Sequence, residues 1–107
     1  MKIMMIQINT DKNLSVNEAY QFKIRTLIEK ELKRFDEQIT RVEVHLNDEN
    51  NSKTGLHDKK CLLEARLKGL DPIVVSDLSS TYDFSIDGAI NKLKTTLDTR
   101  LGKLQSH

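Results

Sequence analysis

The chain has little of what marks specialised protein classes. It has one cysteine, Cys61, so no intrachain disulfide can form and a reducing compartment is expected. It has one proline, no tryptophan and four scattered glycines, which make no phosphate-cradling motif. No apolar run approaches the ~18 residues that a membrane span requires. The opening "MKIMMIQINTDK" turns polar too soon for a secretory signal, so we expect a cytoplasmic protein without a membrane partner. Nor does one sign of charge dominate. Lys and Arg number 17, Asp and Glu 16, for a formal net charge of +1. Bulk charge therefore gives no reason to expect a polyanion, and such a partner would have to be met by local clustering.

What is present fits one small domain. The 107 residues are 37% hydrophobic and 31% charged, enough apolar matter for a single core and too much for a disordered chain. We expect one domain spanning 1–107.

The periodicities change several times along the chain. "IMMIQIN" (3–9) puts Met4, Ile6 and Ile8 on one face of a strand. "SVNE" (15–18) fits a capping box in which Ser15 and Glu18 satisfy each other's backbone amides. Tyr20, Ile24, Leu27, Ile28, Leu32 and Phe35 then recur at steps of three and four, which predicts a helix to about Phe35. "ITRVEVHLN" (39–47) alternates, with Val42, Val44 and Leu46 inward and Arg41, Glu43 and His45 outward. The polar "DENNSKTGLHDKK" reads as a long loop. "CLLEARLKG" alternates again, with Cys61, Leu63, Ala65 and Leu67 inward. "LDPIVVSD" predicts a short fourth strand with Pro72 near its start, where a missing amide is tolerated. Ser79 or Ser80 is then placed to cap a second helix, whose stripe is Ile86, Ile90, Leu93, Leu97, Leu101 and Leu104.

The order β-α-β-β-β-α predicts an α+β two-layer sandwich, a four-stranded sheet with both helices on one face. The first strand, helix and second strand would form a right-handed crossover.

Catalytic constellations are not apparent. Cys61 falls on an apolar strand face, as an inert core thiol does. His45, His57 and His107 lack metal-ligand spacing to any other His or Cys. Asp48, Glu49, His57 and Asp58 flank one loop and can be imagined around a divalent ion, but acids offsetting nearby lysines in a solvated connection explain them better. We expect no enzyme, no metal, no cofactor and no small-molecule substrate.

The helices carry the more informative pattern. Lys23, Arg25, Lys30, Lys33 and Arg34 stand against Glu29 and Glu31 on the first; Lys92, Lys94, Arg100 and Lys103 stand against Asp98 on the second. Side by side, these rows would merge into a basic ridge, with acids left to the 48–58 loop and the turns near 71, 77 and 83. Such lysines meet phosphate without reading sequence. The five aromatics lie on or near helices and most are needed for the core, which argues against a sheet that stacks bases. On charge alone these rows read as a solvated helix surface; if nucleic acid is bound, structured RNA met through phosphates and shape is the better fit.

Three stretches carry a family resemblance: "ITRVEVHLNDEN" (39–50), "DKKCLLEARLKG" (58–69) and "SIDGAINKL" (85–93). Together they resemble the ribosome hibernation promoting factor and ribosome-associated inhibitor family, also called sigma-54 modulation proteins, in its short single-domain branch. The resemblance implies a fold related to double-stranded RNA-binding domains. It also implies binding to the small ribosomal subunit and its rRNA, with occlusion of the mRNA/tRNA channel under stress or in stationary phase. Ribosome pairing through the second domain of the long members is not expected. The resemblance singles out Lys92 as the one basic position that fits the family pattern; with the charge rows, the RNA-binding residues we expect are Lys92, Lys94, Arg100 and Lys103, with Lys23, Lys30, Lys33 and Arg34 in second rank. Thr95 and Thr99 stand where better-known members repeat basic residues after the lysine matching Lys92. That departure leaves a second possibility, a protein-interaction module on the same fold that has lost ribosome binding.

Overall fold

Each segment with period-two alternation forms a strand, and each amphipathic segment a helix. The structure is a computed structural model that describes residues 4–10, 16–49 and 58–105, the last three by their backbone only. Its elements are β1 (Met5–Thr10), α1 (Glu18–Glu31), β2 (Ile39–Asp48), β3 (Lys59–Leu67), β4 (Leu70–Ser79) and α2 (Tyr82–Gln105). The strands lie in the order β1-β2-β3-β4. β1 runs parallel to β2, and the other neighbours are antiparallel. This is the predicted two-layer α+β architecture.

Register explains the core. Ile6, Val42, Ala65 and Ile73 lie in one row across the sheet, and Ile8, Val44, Leu63 and Val75 in the next. These side chains meet Ile24 and Ile28 of α1, and Ile86, Ala89, Ile90, Leu93, Leu97 and Leu101 of α2, in one cluster. Both helices therefore cover the same face. Leu104, the last residue predicted for the α2 stripe, has its side chain outside the described residues.

The boundaries correct four expectations. The first helix is capped by Asn17, whose side-chain oxygen accepts from the Tyr20 amide at 2.8 Å, so the helix begins at Glu18 in place of the expected capping box; Ser15 lies outside the described residues. That helix ends at Glu31, because Leu32 leaves helical geometry (φ −107°, ψ 14°) and the chain tightens into a 3-10 turn over Lys33–Phe35. Leu32 and Phe35 still face the core, so the apolar stripe outlasts the α-helix. Thr81, not Ser79 or Ser80, caps α2 by accepting from the Phe84 amide at 3.1 Å. Ser79 is instead the last residue of β4, a ten-residue strand and not a short one.

β3 and β4 are joined by Lys68 and Gly69 alone, and Gly69 supplies the left-handed backbone that so tight a turn needs (φ 68°). Pro72 is accommodated because β4 is an edge strand and the pairing slips just there, between Ala65 and Leu67.

Leu93 is fully buried where α2 meets the sheet. Leu93→Ala should cost about 2–5 kcal/mol through the cavity it leaves, read as a lower urea midpoint at unchanged slope.

Candidate nucleic-acid interface

The outward face of the sheet comes first because it is the simpler surface. Arg41 and Arg66 flank Glu43, with Arg41 Nε 3.1 Å and Arg66 3.9 Å from its carboxylate. His45 lies 3.4 Å from the same group, and Arg66 also reaches Glu64 at 3.4 Å. Arg41 further donates to the Gln7 side chain. Arg41, Glu43, His45, Glu64 and Arg66 satisfy one another, Lys60 on the same face holds no ion pair among the described residues, and no aromatic is among them, as the strand pattern predicted.

The second surface is the flank of α2 that faces β4, where the segment "SIDGAINKL" acquires a physical meaning. Ile86, Ala89, Ile90 and Leu93 are core. Ser85 is buried and donates back to the Tyr82 carbonyl at 3.1 Å. Gly88 lies so close to Asp77 of β4 that a Cβ there would collide with the carboxylate. One turn on, Lys92 Nζ reaches the same Asp77 at 3.1 Å and the Ser76 carbonyl at 2.7 Å. Asp77 also accepts from Ser79 Oγ at 3.1 Å. Two turns beyond Lys92, Arg100 donates to the Asp71 carbonyl near the start of β4 at 2.9 Å. Lys92 and Arg100 thus cover backbone carbonyls of an edge strand, a common way of blunting such an edge. Thr95 and Thr96 line the shallow groove beside Lys92.

The third surface lies between the helices. Arg34 donates to both oxygens of Asp98, at 2.6 and 2.9 Å. Its guanidinium also sits 4.2 Å from the centre of the Phe35 ring. Lys94 donates to Glu31 at 2.8 Å. Lys30, Glu31, Lys33, Arg34, Asp36 and Lys94 line one open groove at this junction. Four of the eight predicted contact residues, Lys30, Lys33, Arg34 and Lys94, therefore come together. Lys92 and Arg100 lie on the opposite flank of α2, and the Lys103 side chain is outside the described residues. Lys23 sits at the far end of the inter-helix seam, 3.8 Å from Asp83. There Tyr20 donates to Asp83 at 2.6 Å, and burial with that carboxylate pushes the phenol well above its usual range.

The expected segregation of acids does not occur. Asp77 and Asp83, assigned to turns away from the ridge, pair with Lys92 and Lys23 across elements. The spacing of charges along one helix gave no signal of which carboxylate a neighbouring element would bring. Of the aromatics, Phe35 is buried and Tyr20 and Tyr82 pack against the core, so most serve it as expected, while Phe22 and Phe84 are exposed at 71% and 62%.

Catalytic chemistry finds little support. Burial, then the nearby Asp77, pushes the Cys61 thiol up to about 12, which leaves almost no nucleophilic thiolate at neutral pH. Among the described residues no three His, Cys, Asp or Glu side chains gather as metal ligands. Lys59, at the start of β3, lies 3.1 Å from Asp48 at the end of β2 and 3.2 Å from Asp58; most of the stretch read as a loop, residues 50–57, is outside the described residues. His57 and His107 are outside the described residues. No described helix is long and apolar enough to cross a membrane.

Residues 7–105 match the family described as sigma 54 modulation protein / S30EA ribosomal protein. The chain belongs to this family. No curated protein sequence matches it significantly. Solved structures resemble it in fold. A ribosomal subunit interface protein from Coxiella burnetii aligns over 94% of this chain and 99% of its own, at 20% identity and a TM-score of 0.68. The N-terminal domain of Thermus thermophilus Protein Y aligns over 90% of this chain and 98% of its own, at 23% identity and a TM-score of 0.64. Family membership therefore rests on the sequence pattern, and the fold on both. In this member the "SIDGAINKL" stretch docks α2 onto β4.

The inter-helix pairs have a defined pH signature. The hydrogen bond from Arg34 holds the Asp98 carboxyl below its ordinary 3.8, and that from Lys94 holds Glu31 below 4.5. Depressed carboxylates stabilise the fold above their unfolded pKa and lose that contribution as pH falls through the folded one. The combined Glu31→Gln and Asp98→Asn variant should melt no more than a few degrees below the parent at neutral pH, since the Arg34–Asp98 pair is exposed and the Lys94–Glu31 pair still partly open to solvent. Thermal melts across pH should see that gap close on acidification.

Proposed function

We propose that this protein is a ribosome-associated translation inhibitor, or hibernation factor, that binds the rRNA of the small subunit and occludes the mRNA/tRNA channel. Family membership supplies the ribosome. Both similar structures are of proteins or domains of this fold, one of them described as a ribosomal subunit interface protein.

The observation that carries the mode of binding is the gathering of Lys30, Lys33, Arg34 and Lys94 at one open groove, while the two arginines of the outward sheet face, Arg41 and Arg66, are spent on Glu43 and Glu64. Lysines and arginines on paired helices can follow an RNA backbone through its phosphates without reading bases. No bond is made or broken in such a mechanism. A folded domain held in the channel excludes tRNA and mRNA by occupying their volume. Arg34 and Lys94 in the groove, and Lys92, Arg100 and Lys23 beyond it, each hold an internal partner and would make the contact by exchanging it for phosphate. Lys103 would extend the same helix.

The test is sedimentation with small ribosomal subunits at low and raised salt. The protein should travel with the subunit at low salt and be released as salt rises. Lys30→Ala with Lys33→Ala should lower the slope of log affinity against log salt by about one per lysine. Lys92→Ala is a cleaner probe than Lys92→Glu, because the latter sets a second carboxylate against Asp77. A protein that stays at the top of the gradient at low salt would rule the assignment out.

A further inference from the structure

The groove between the helices holds four cations, and two of them are paired internally. Arg34 is gripped bidentately by Asp98, and Lys94 by Glu31. Asp36 lines the same groove. A carboxylate that accepts two parallel N–H bonds from a guanidinium occupies the place a phosphate would take, because the arginine fork fits both anions alike. The Phe35 ring beneath the Arg34 guanidinium holds that fork in position. Both pairs run between α1 or its 3-10 extension and α2, at sequence separations of 64 and 63. They are open to solvent, with side chains 31–57% exposed, so an incoming phosphate meets no steric barrier.

We infer that Asp98 and Glu31 are built-in competitors of RNA phosphate, which occupy Arg34 and Lys94 in the free protein and hold its affinity for the ribosome down. The inference rests on the proposed binding of rRNA phosphates at this groove. Binding there becomes an exchange of anions, one carboxylate displaced for each phosphate gained. A cation that already carries an internal anion adds little to the counterion release that drives association. The free protein thus stays nearly neutral on this face and weakly attracted to nucleic acid at large, and engages where several phosphates are presented together.

The consequence runs against ordinary conservative mutagenesis, since removing acids should improve binding. The affinity of the full-length chain for purified small ribosomal subunits is measured across about 50 to 200 mM salt. The double variant Glu31→Gln, Asp98→Asn should bind about tenfold more tightly at the low end, with a salt slope steeper by about two, one for each cation released. A variant of equal net charge, Glu18→Gln with Glu49→Gln, alters exposed acids away from the groove. It should gain far less. If the wild type binds and the groove variant is no tighter, or if the control gains as much, the competitor role is overturned while ribosome binding stands. If no form binds even at low salt, the ribosomal assignment falls and the inference with it.

Discussion

The close approach of α2 to β4 is the constraint on which the rest of the structure depends. The absence of a side chain at Gly88 lets the helix come up against Asp77. Ala89 adds little bulk on the neighbouring face, and Ile86, Ile90, Leu93, Leu97 and Leu101 then reach the sheet together. Burying those side chains supplies the main driving force, since each is worth a few kcal/mol when removed from water. The same approach brings Lys92 to Asp77 and Ser76, and Arg100 to Asp71. α2 therefore also covers part of the edge that β4 would otherwise leave open.

With α2 fixed, the position of α1 decides the electrostatics. The seam between the helices is stitched by Tyr20 to Asp83, Lys94 to Glu31 and Arg34 to Asp98. Exposed ion pairs of this kind add little to stability. Their effect is on what the surface offers a partner. A chain with a net charge of +1 can gather four cations in one groove and still hold two of them, Arg34 and Lys94, against its own carboxylates. In the proposed mode, binding to a polyanion would depend on exchange between anions, which would make it sensitive to salt and selective for dense phosphate.

Much of the fold was legible in the sequence because its periodicities are unambiguous. Val42, Val44 and Leu46 alternate, Ile24, Ile28 and Leu32 step by four, and the inward and outward faces follow. The termini of elements were less so. Asn17 and Thr81 sit within two residues of other good caps, and only tertiary position chose between them. The candidate site was half legible. The rows of Lys and Arg were visible, but a row says nothing of which carboxylate an adjacent element brings. Asp77, placed by the strand before α2, and Asp98, facing Arg34 64 residues away, could be assigned only from three dimensions. The exposure of Phe22 and Phe84 was hidden for the same reason, since helical aromatics usually fill a core.

The central claim is that the helix layer, and not the outward sheet face, meets ribosomal RNA. Because Cys61 is buried and its thiol is pushed up to about 12, a single engineered cysteine can carry a hydroxyl-radical probe selectively. The decisive measurement is RNA cleavage in small subunits bound to the Lys33→Cys and Val74→Cys proteins, which place the probe at the inter-helix groove and on the outward sheet face. The account predicts strong local cuts in small-subunit rRNA from position 33 and weak or absent cuts from position 74. Strong cuts from position 74 with none from position 33 would contradict it.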